Sequence, residues 1–195
     1  MATNYIFNTT VNPANNPESW TLYHNWNIST DGTNWVLSAA GDSNMSRTFT
    51  IDSGDDFELN CLMNFPATSY SYCGVSVNST TGNHSLALTT RWESLPNYKA
   101  RVTINGTETA SVDTGISGGN DINVKIKTSK DGSGGIYINN STTPLATAPS
   151  GTFSNRNITV YFSKYTETSP AYVKSGYLKS PIPLPSSSNF LQFFR

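Results

Sequence analysis

The chain has 195 residues and a formal net charge of −1 at pH 7, with 36% hydrophobic, 12% aromatic and 13% charged residues. That length suits one large domain with its own core. The absence of a Lys/Arg cluster removes the electrostatic footprint of a nucleic-acid binder or of a protein held on an anionic membrane. No stretch approaches the ~18 apolar residues of a membrane span. Polarity comes from Ser, Thr and Asn, 73 residues together. Such side chains fill strand faces and turns, and they also suit neutral, hydroxyl-rich partners such as glycans.

Strand signals dominate in chain order. Alternating or β-rich runs fall at Tyr5–Asn8, Trp20–Ile28, Asn34–Ser38, Ser46–Ile51, Asp56–Phe65, Tyr70–Asn78 and His84–Trp92. They continue at Tyr98–Ile104, Thr107–Val112, Ile122–Thr128, Gly135–Asn139, Asn157–Ser163 and Ala171–Lys179. Turn clusters separate them, among them Asp31-Gly32, Asn105-Gly106, Ser117-Gly118-Gly119-Asn120 and Asp131-Gly132-Ser133-Gly134. About a dozen short strands at close spacing, without helical periodicity, predict an all-β antiparallel sandwich. Asn105-Gly106 predicts a two-residue hairpin. Phe57–Phe65, Tyr98–Ile104 and Asn123–Thr128 each present one apolar and one polar face, so each sheet should bury one side and wet the other. Trp20, Trp26 and Trp35 are expected in the core.

Cys61 and Cys73 are the only cysteines, too few for a disulfide framework or a zinc site. Each stands on the apolar face of an expected strand. A hairpin turning near Ala67 would bring them near each other, and two buried free thiols are expected rather than a disulfide. Residues 1–12 carry neither a basic start nor an apolar run of signal length, so synthesis without a secretory signal is expected. The nine Asn-x-Ser/Thr sequons, Asn8, Asn78 and Asn105 among them, carry little meaning in so Asn- and Thr-rich a chain.

Composition shifts after residue 179, dividing the chain into a sandwich domain (1–179) and an extended C-terminal tail (180–195). Ser180-Pro181-Ile182-Pro183-Leu184-Pro185 reads as polyproline, and Ser186-Ser187-Ser188 as a flexible spacer. The last residues, with Phe190, Leu191, Phe193 and Phe194, form an apolar peptide on a tether. Such a peptide is expected to fold back onto the domain or to dock on a partner protein, because left exposed it invites aggregation.

The order of motifs resembles the concanavalin A-like, laminin G-type jelly rolls. Trp26-Asn27-Ile28, Asp31-Gly32 and Trp35-Val36-Leu37 resemble their opening, and Asp56-Phe57-Glu58-Leu59 the strand that follows. Val124-Lys125-Ile126-Lys127, a Gly-rich turn and Ile136-Tyr137-Ile138-Asn139-Asn140 resemble a hairpin of that family, with Asn140 where Gly is usual. Asn157–Phe162 resembles its late core strand. The likeness spans roughly residues 20–180 and is a pattern of strands rather than a signature motif. It implies two curved antiparallel sheets, a concave face and, commonly, glycan or protein binding.

Glycoside hydrolases of this family usually carry a Glu-x-Asp-x-x-Glu strand, which sets acids on one face. Nothing here matches it, and Glu58, Glu93, Glu108 and Glu167 stand isolated. His24 and His84 lack a nucleophile or metal pattern nearby and read as filler. Asp52, Asp55 and Asp56 around Ser53-Gly54 are the one group that calcium could use. Their spacing is not that of an EF-hand and an ordinary turn is expected, so no cofactor and no metal are assigned. There is no phosphate-cradling loop.

What remains is aromatic rings beside polar groups, the pairing that sugars require. Arg91, Trp92, Tyr98 and Arg101 flank the loop 94–97, and Tyr70 and Tyr72 lie on another strand. Together these six are the expected ligand platform, with core packing the alternative for Trp92 and Tyr98. The expectation is a non-catalytic recognition or attachment module, an oligomer at the surface of a virion or extracellular particle as a decoration, fibre or tail protein. Its partners would be other protein subunits and a glycan or cell-surface receptor. A purely structural assembly protein, a secreted carbohydrate-binding module and a glycoside hydrolase are the alternatives.

Overall fold

Fifteen strands form among the described residues of the computed structural model, which are 3–13, 20–23, 28–38, 42–51, 56–67, 73–90, 96–155, 157–165 and 169–180. They are β1 (Thr3–Ile6), β2 (Thr21–Tyr23), β3 (Ile28–Thr30), β4 (Trp35–Leu37), β5 (Ser43–Thr50), β6 (Phe57–Asn64), β7 (Cys73–Ser79) and β8 (Ser85–Thr90). The remainder are β9 (Asn97–Ile104), β10 (Thr107–Ser117), β11 (Ile122–Thr128), β12 (Gly134–Ile138), β13 (Ala146–Ala148), β14 (Asn157–Lys164) and β15 (Ala171–Ser180). Among the described residues there is no helix long and apolar enough to cross a membrane.

The strands build two antiparallel sheets. The eight-stranded sheet has the order β13-β12-β11-β6-β15-β4-β3, with β1 also pairing β15. The seven-stranded sheet has the order β10-β9-β8-β7-β14-β5-β2. Period-2 patterning drives this arrangement. Phe57, Leu59, Cys61 and Met63 of β6 are buried while the residues between them are half-exposed, and Ile122, Val124 and Ile126 of β11 repeat the pattern. Val75 and Val77, Leu86 and Leu88, Ala100 and Val102, and Ile158, Val160 and Phe162 face them from the other sheet. Each Val, Leu, Ile, Phe or Met side chain among them, fully buried, contributes about 1.5–3 kcal/mol. At one end of the sandwich Phe7, Trp20, Trp35 and Phe162 close the core, with ring centroids 5.4 Å apart for Phe7–Trp35 and 5.6 Å for Trp20–Trp35. The indole nitrogen of Trp35 donates to the Val11 carbonyl at 2.9 Å.

The expected all-β sandwich is what forms, with local departures. The run Trp20–Ile28 yields two strands, β2 and β3, which join different sheets. β13 had no signal, being only Ala146-Thr147-Ala148. β10 runs on to Ser117, bulged between Glu108 and Ala110 and between Asp113 and Ser117, which suits an exposed edge strand. The Asn105-Gly106 hairpin forms as expected, with both residues at positive φ (53° and 78°) as a type I′ turn requires. β15 continues to Ser180, one residue into the expected tail; residues 181–195, with Phe190, Leu191, Phe193 and Phe194, lie outside the described residues.

The expected hairpin between the cysteines does not exist. β6 lies in the eight-stranded sheet and β7 in the seven-stranded one, so the chain crosses between layers after Pro66 rather than turning back on itself. Both cysteines are buried and neither is in a disulfide, and burial pushes the Cys61 thiol far up, out of reactive range. Trp26 and His24 lie outside the described residues.

Candidate functional site

The outward face of the seven-stranded sheet is the candidate site, and strand register fixes which side chains share it. On β7 the small, polar positions Gly74, Ser76 and Asn78 point away from the core, and each begins a row across the sheet. The Gly74 row runs through Ser163 and Asn44 to Tyr23 on one side and through Thr89 and Lys99 to Asp113 on the other. Ser76 aligns with Tyr161 and Ser46, and on its other side with Ala87, Arg101 and Ser111. The Asn78 row has Thr159 and Thr48 on one side, and Ser85, Thr103 and Glu108 on the other.

Small residues on β7 and β8 therefore form a floor between larger side chains on β9 and β14, and the result is a groove of about 400 Å³. Gly74 is needed at this floor. Its φ is +153°, and a Cβ there would collide with the backbone carbonyl of Leu88. One wall is Arg101, whose Nη1 donates to Glu108 Oε2 at 2.9 Å; Arg101 is only 3% exposed, while Glu108 reaches solvent. The other wall is Tyr161 and Tyr165. Asn44 Nδ2 donates to the Tyr165 hydroxyl at 2.7 Å, and the Tyr165 backbone N–H donates to Cys73 Sγ at 3.3 Å. Burial raises the Tyr161 phenol above its ordinary value, and the nearby phenols of Tyr23 and Tyr165 add to the rise. Tyr23 stands half exposed on the edge strand β2, across β5 from β14.

Polar atoms around this groove lack partners. Asn44 Oδ1, Asn78 Oδ1 and Thr89 Oγ1 are shielded from water and accept or donate no hydrogen bond. Native folds rarely leave such groups unmet without a reason. The outward residues of β5, β14, β7 and β8 include no Lys, Arg, Asp or Glu among the described residues.

The expected platform is only partly placed. Arg101 lines the groove. Tyr98 does not: as an even-phase residue of β9 it faces the core, fully buried. Its hydroxyl accepts from the Phe65 N–H at 2.7 Å and lies 3.0 Å and 3.1 Å from the Phe65 and Asn120 carbonyls, and burial raises its pKa well above the ordinary value. It is a structural pin between the two sheets, a core residue and not the ligand contact expected of it. Tyr70, Tyr72, Arg91 and Trp92 lie outside the described residues. Tyr23, Tyr161, Tyr165, Asn78 and Thr89 were missed. The alternation in Ile158-Thr159-Val160-Tyr161-Phe162-Ser163 held the signal, since it turns Tyr161 outward whenever its neighbours face in.

Among the described residues no three His, Cys, Asp or Glu side chains cluster to hold a metal. Asp52 and Asp55 lie outside them, and Asp56 Oδ1 accepts the Lys130 N–H at 3.0 Å. His84 Nδ1 accepts the Asn105 N–H at 3.2 Å, a contact between loops.

No protein-family model and no curated protein matches this sequence. Solved structures do match its fold. The carbohydrate recognition domain of Emp47p superposes with a TM-score of 0.58 at 13% identity, over 91% of this chain and 98% of that one. The apo Crh5 transglycosylase gives 0.66 at 13% identity, over 93% and 86%. The lectin from Bauhinia forficata in complex with GalNAc gives 0.60 at 8% identity, over 92% and 97%. The chain has the concanavalin A-like jelly-roll fold. In this concanavalin A-like frame, the expected two antiparallel sheets are both present.

Proposed function

We propose that the chain is a non-catalytic carbohydrate-recognition module that holds its ligand in the groove on the seven-stranded sheet. The observation that carries this reading is the pairing of tyrosine rings with uncharged polar groups around one hollow. Pyranose rings offer C–H faces to aromatic rings and hydroxyls to Asn, Ser and Thr, and Tyr161, Tyr165, Asn78 and Thr89 supply both kinds of contact. Likeness to a carbohydrate recognition domain and to a lectin supports the reading.

Glycosidic bond cleavage needs two carboxylates flanking the bond, ~5–9 Å apart. Among the described residues the groove is lined by one, Glu108, and that one is held by Arg101. This arrangement supports binding without turnover. A glycan array probed with the wild type, Tyr161→Ala and, as a control on the opposite sheet, Lys125→Ala tests the reading. Expected are binding by the wild type and the control and a roughly ten-fold weaker signal for Tyr161→Ala. Equal binding by all three, or none by the wild type, would overturn it, and released sugar on prolonged incubation would overturn the non-catalytic part.

The module in this reading serves attachment at the surface of a virion or other extracellular particle, with protein subunits as further partners. The apolar sequence Phe190-Leu191-Gln192-Phe193-Phe194 behind a Pro/Ser-rich spacer supports a protein partner. Deleting residues 181–195 leaves β15 whole, so it should abolish co-assembly while the domain stays folded; intact assembly would contradict the attachment role.

A further inference from the structure

The composition of the groove and its surroundings narrows the ligand further. Across β8, β7, β14 and β5 the outward face is uncharged among the described residues. Among the described residues of these rows, charged side chains appear only at the β9–β10 margin, where Lys99 stands in register with Asp113 and Arg101 reaches Glu108 from a neighbouring row. Arg101 is tied to Glu108, so the margin presents no net charge to an acidic sugar. An anionic ligand would lose its hydration in the uncharged hollow without gaining a counter-charge.

The face also extends beyond the groove. Thr89, Gly74, Ser163 and Asn44 form one row of small or polar side chains that leads from the floor to Tyr23. Asn44 Oδ1 on that row lacks a partner. Tyr23 is half exposed and shares this face with Tyr161 across β5, yet it does not line the hollow itself. Five strand spacings separate β9 from β2, about 24 Å, which is longer than one sugar ring needs.

We infer that the ligand is a neutral, linear oligosaccharide that crosses the strands, seated in the groove beside Arg101 and reaching a second aromatic contact on Tyr23. The inference rests on the carbohydrate-binding reading, and it assigns Tyr23 and Asn44 to an outer subsite distinct from the groove subsite of Asn78, Thr89 and Tyr161.

Calorimetric titration with neutral gluco-, xylo- and manno-oligosaccharide ladders, from disaccharide to hexasaccharide, tests it on the full chain. Sialylated and sulfated oligosaccharides form the anionic arm. Affinity for one neutral series should climb with length. Tyr23→Ala, an exposed edge position that the fold does not need, should weaken the longest member about five-fold and leave the disaccharide unchanged. Tyr161→Ala should weaken both. Affinity that does not grow with length, or a Tyr23→Ala loss equal for all lengths or absent, would overturn the outer subsite while sparing the groove. Preference for the anionic arm, falling as salt rises, would overturn the neutral class. No binding by any member would sink this inference together with the reading beneath it.

Discussion

The two outer faces of the sandwich treat their polar residues differently. On the eight-stranded sheet several charged groups are paired within the face, and one amide oxygen, Asn123 Oδ1, is shielded without a partner. Glu58 accepts from Tyr177 at 2.7 Å and sits 3.7 Å from Lys127; Asn123 donates to Asn60 at 3.1 Å; Lys125 lies over the Tyr137 ring at 4.7 Å; Lys174 meets Asp121 at 2.8 Å. Across the centre of the seven-stranded sheet there are no charges to match, and Asn44, Asn78 and Thr89 keep shielded oxygens without partners. A face whose polar groups are satisfied needs only water outside it. One whose groups are shielded and unmet is less stable than it could be, and a ligand hydroxyl is a partner that repairs the deficit.

The largest expected effect removes the hollow itself. Gly74→Ala would drive a Cβ into the Leu88 carbonyl between adjacent strands and should cost about 3 kcal/mol in urea unfolding. A loss below about 1 kcal/mol would mean that β7 and β8 yield easily and that the floor is not rigid. Next is the inner side of the same sheet. Tyr98→Phe strands the Phe65 N–H and deprives a carbonyl of its donor, so it should cost about 2 kcal/mol without altering glycan binding. A Tyr98→Phe variant of full stability and poor binding would restore this residue to the ligand platform.

The sharpest contrast lies between two adjacent threonines of β8. Thr90 faces in and donates to the Pro66 carbonyl at 2.7 Å; Thr89 faces out with its hydroxyl unmet. Thr90→Val should lose about 1–2 kcal/mol, whereas Thr89→Val should be neutral or gain up to about 1 kcal/mol and bind glycan more weakly. The same sign for both would erase the distinction between satisfied and unsatisfied faces.

The smallest effect belongs to the matched face. Hydrogen bonds from Lys174 and then Asn64 hold the Asp121 carboxyl below its ordinary value of 3.8, against a smaller opposing contribution from burial. A lowered folded-state pKa stabilises above the unfolded value and is lost as pH falls through the folded one. Both partners are partly exposed, so Asp121→Asn should cost only about 0.5 kcal/mol at neutral pH. The gap to wild type should close in acid, below the ordinary aspartate range. A gap that persists once the carboxyl is protonated would assign the effect to packing instead.

Much of the sandwich was legible in the sequence because burial imposes period 2. Phe57, Leu59, Cys61 and Met63 announce a strand and its inner face at once, as Val124 and Ile126 do. Sheet membership was not legible, because the same alternation serves either layer. Hence β6 and β7 read as a hairpin although they belong to different sheets. β13 escaped because pairing to β12, not its own three residues, makes it a strand. At the site, Arg101 was readable from the polar phase of β9. By the same phase Tyr98 had to face in, so reading both as one surface joined opposite sides of a strand. Tyr23 and Tyr161 are more than a hundred residues apart, and only the pairing of β2 and β14 with β5 sets them on one face.

The central claim is that the unmatched outer face of the seven-stranded sheet is where ligand binds. Backbone and side-chain amide shifts followed by NMR during titration with the neutral oligosaccharide of highest affinity test it most directly. The account predicts shifts at Ser76, Asn78, Thr89, Arg101 and Ser163, extending to Asn44 and Tyr23 with the longer chains, while Asn60, Lys125 and Tyr177 stay still. Shifts confined to the eight-stranded sheet or to the loops, with β7, β8 and β14 unmoved, would contradict it.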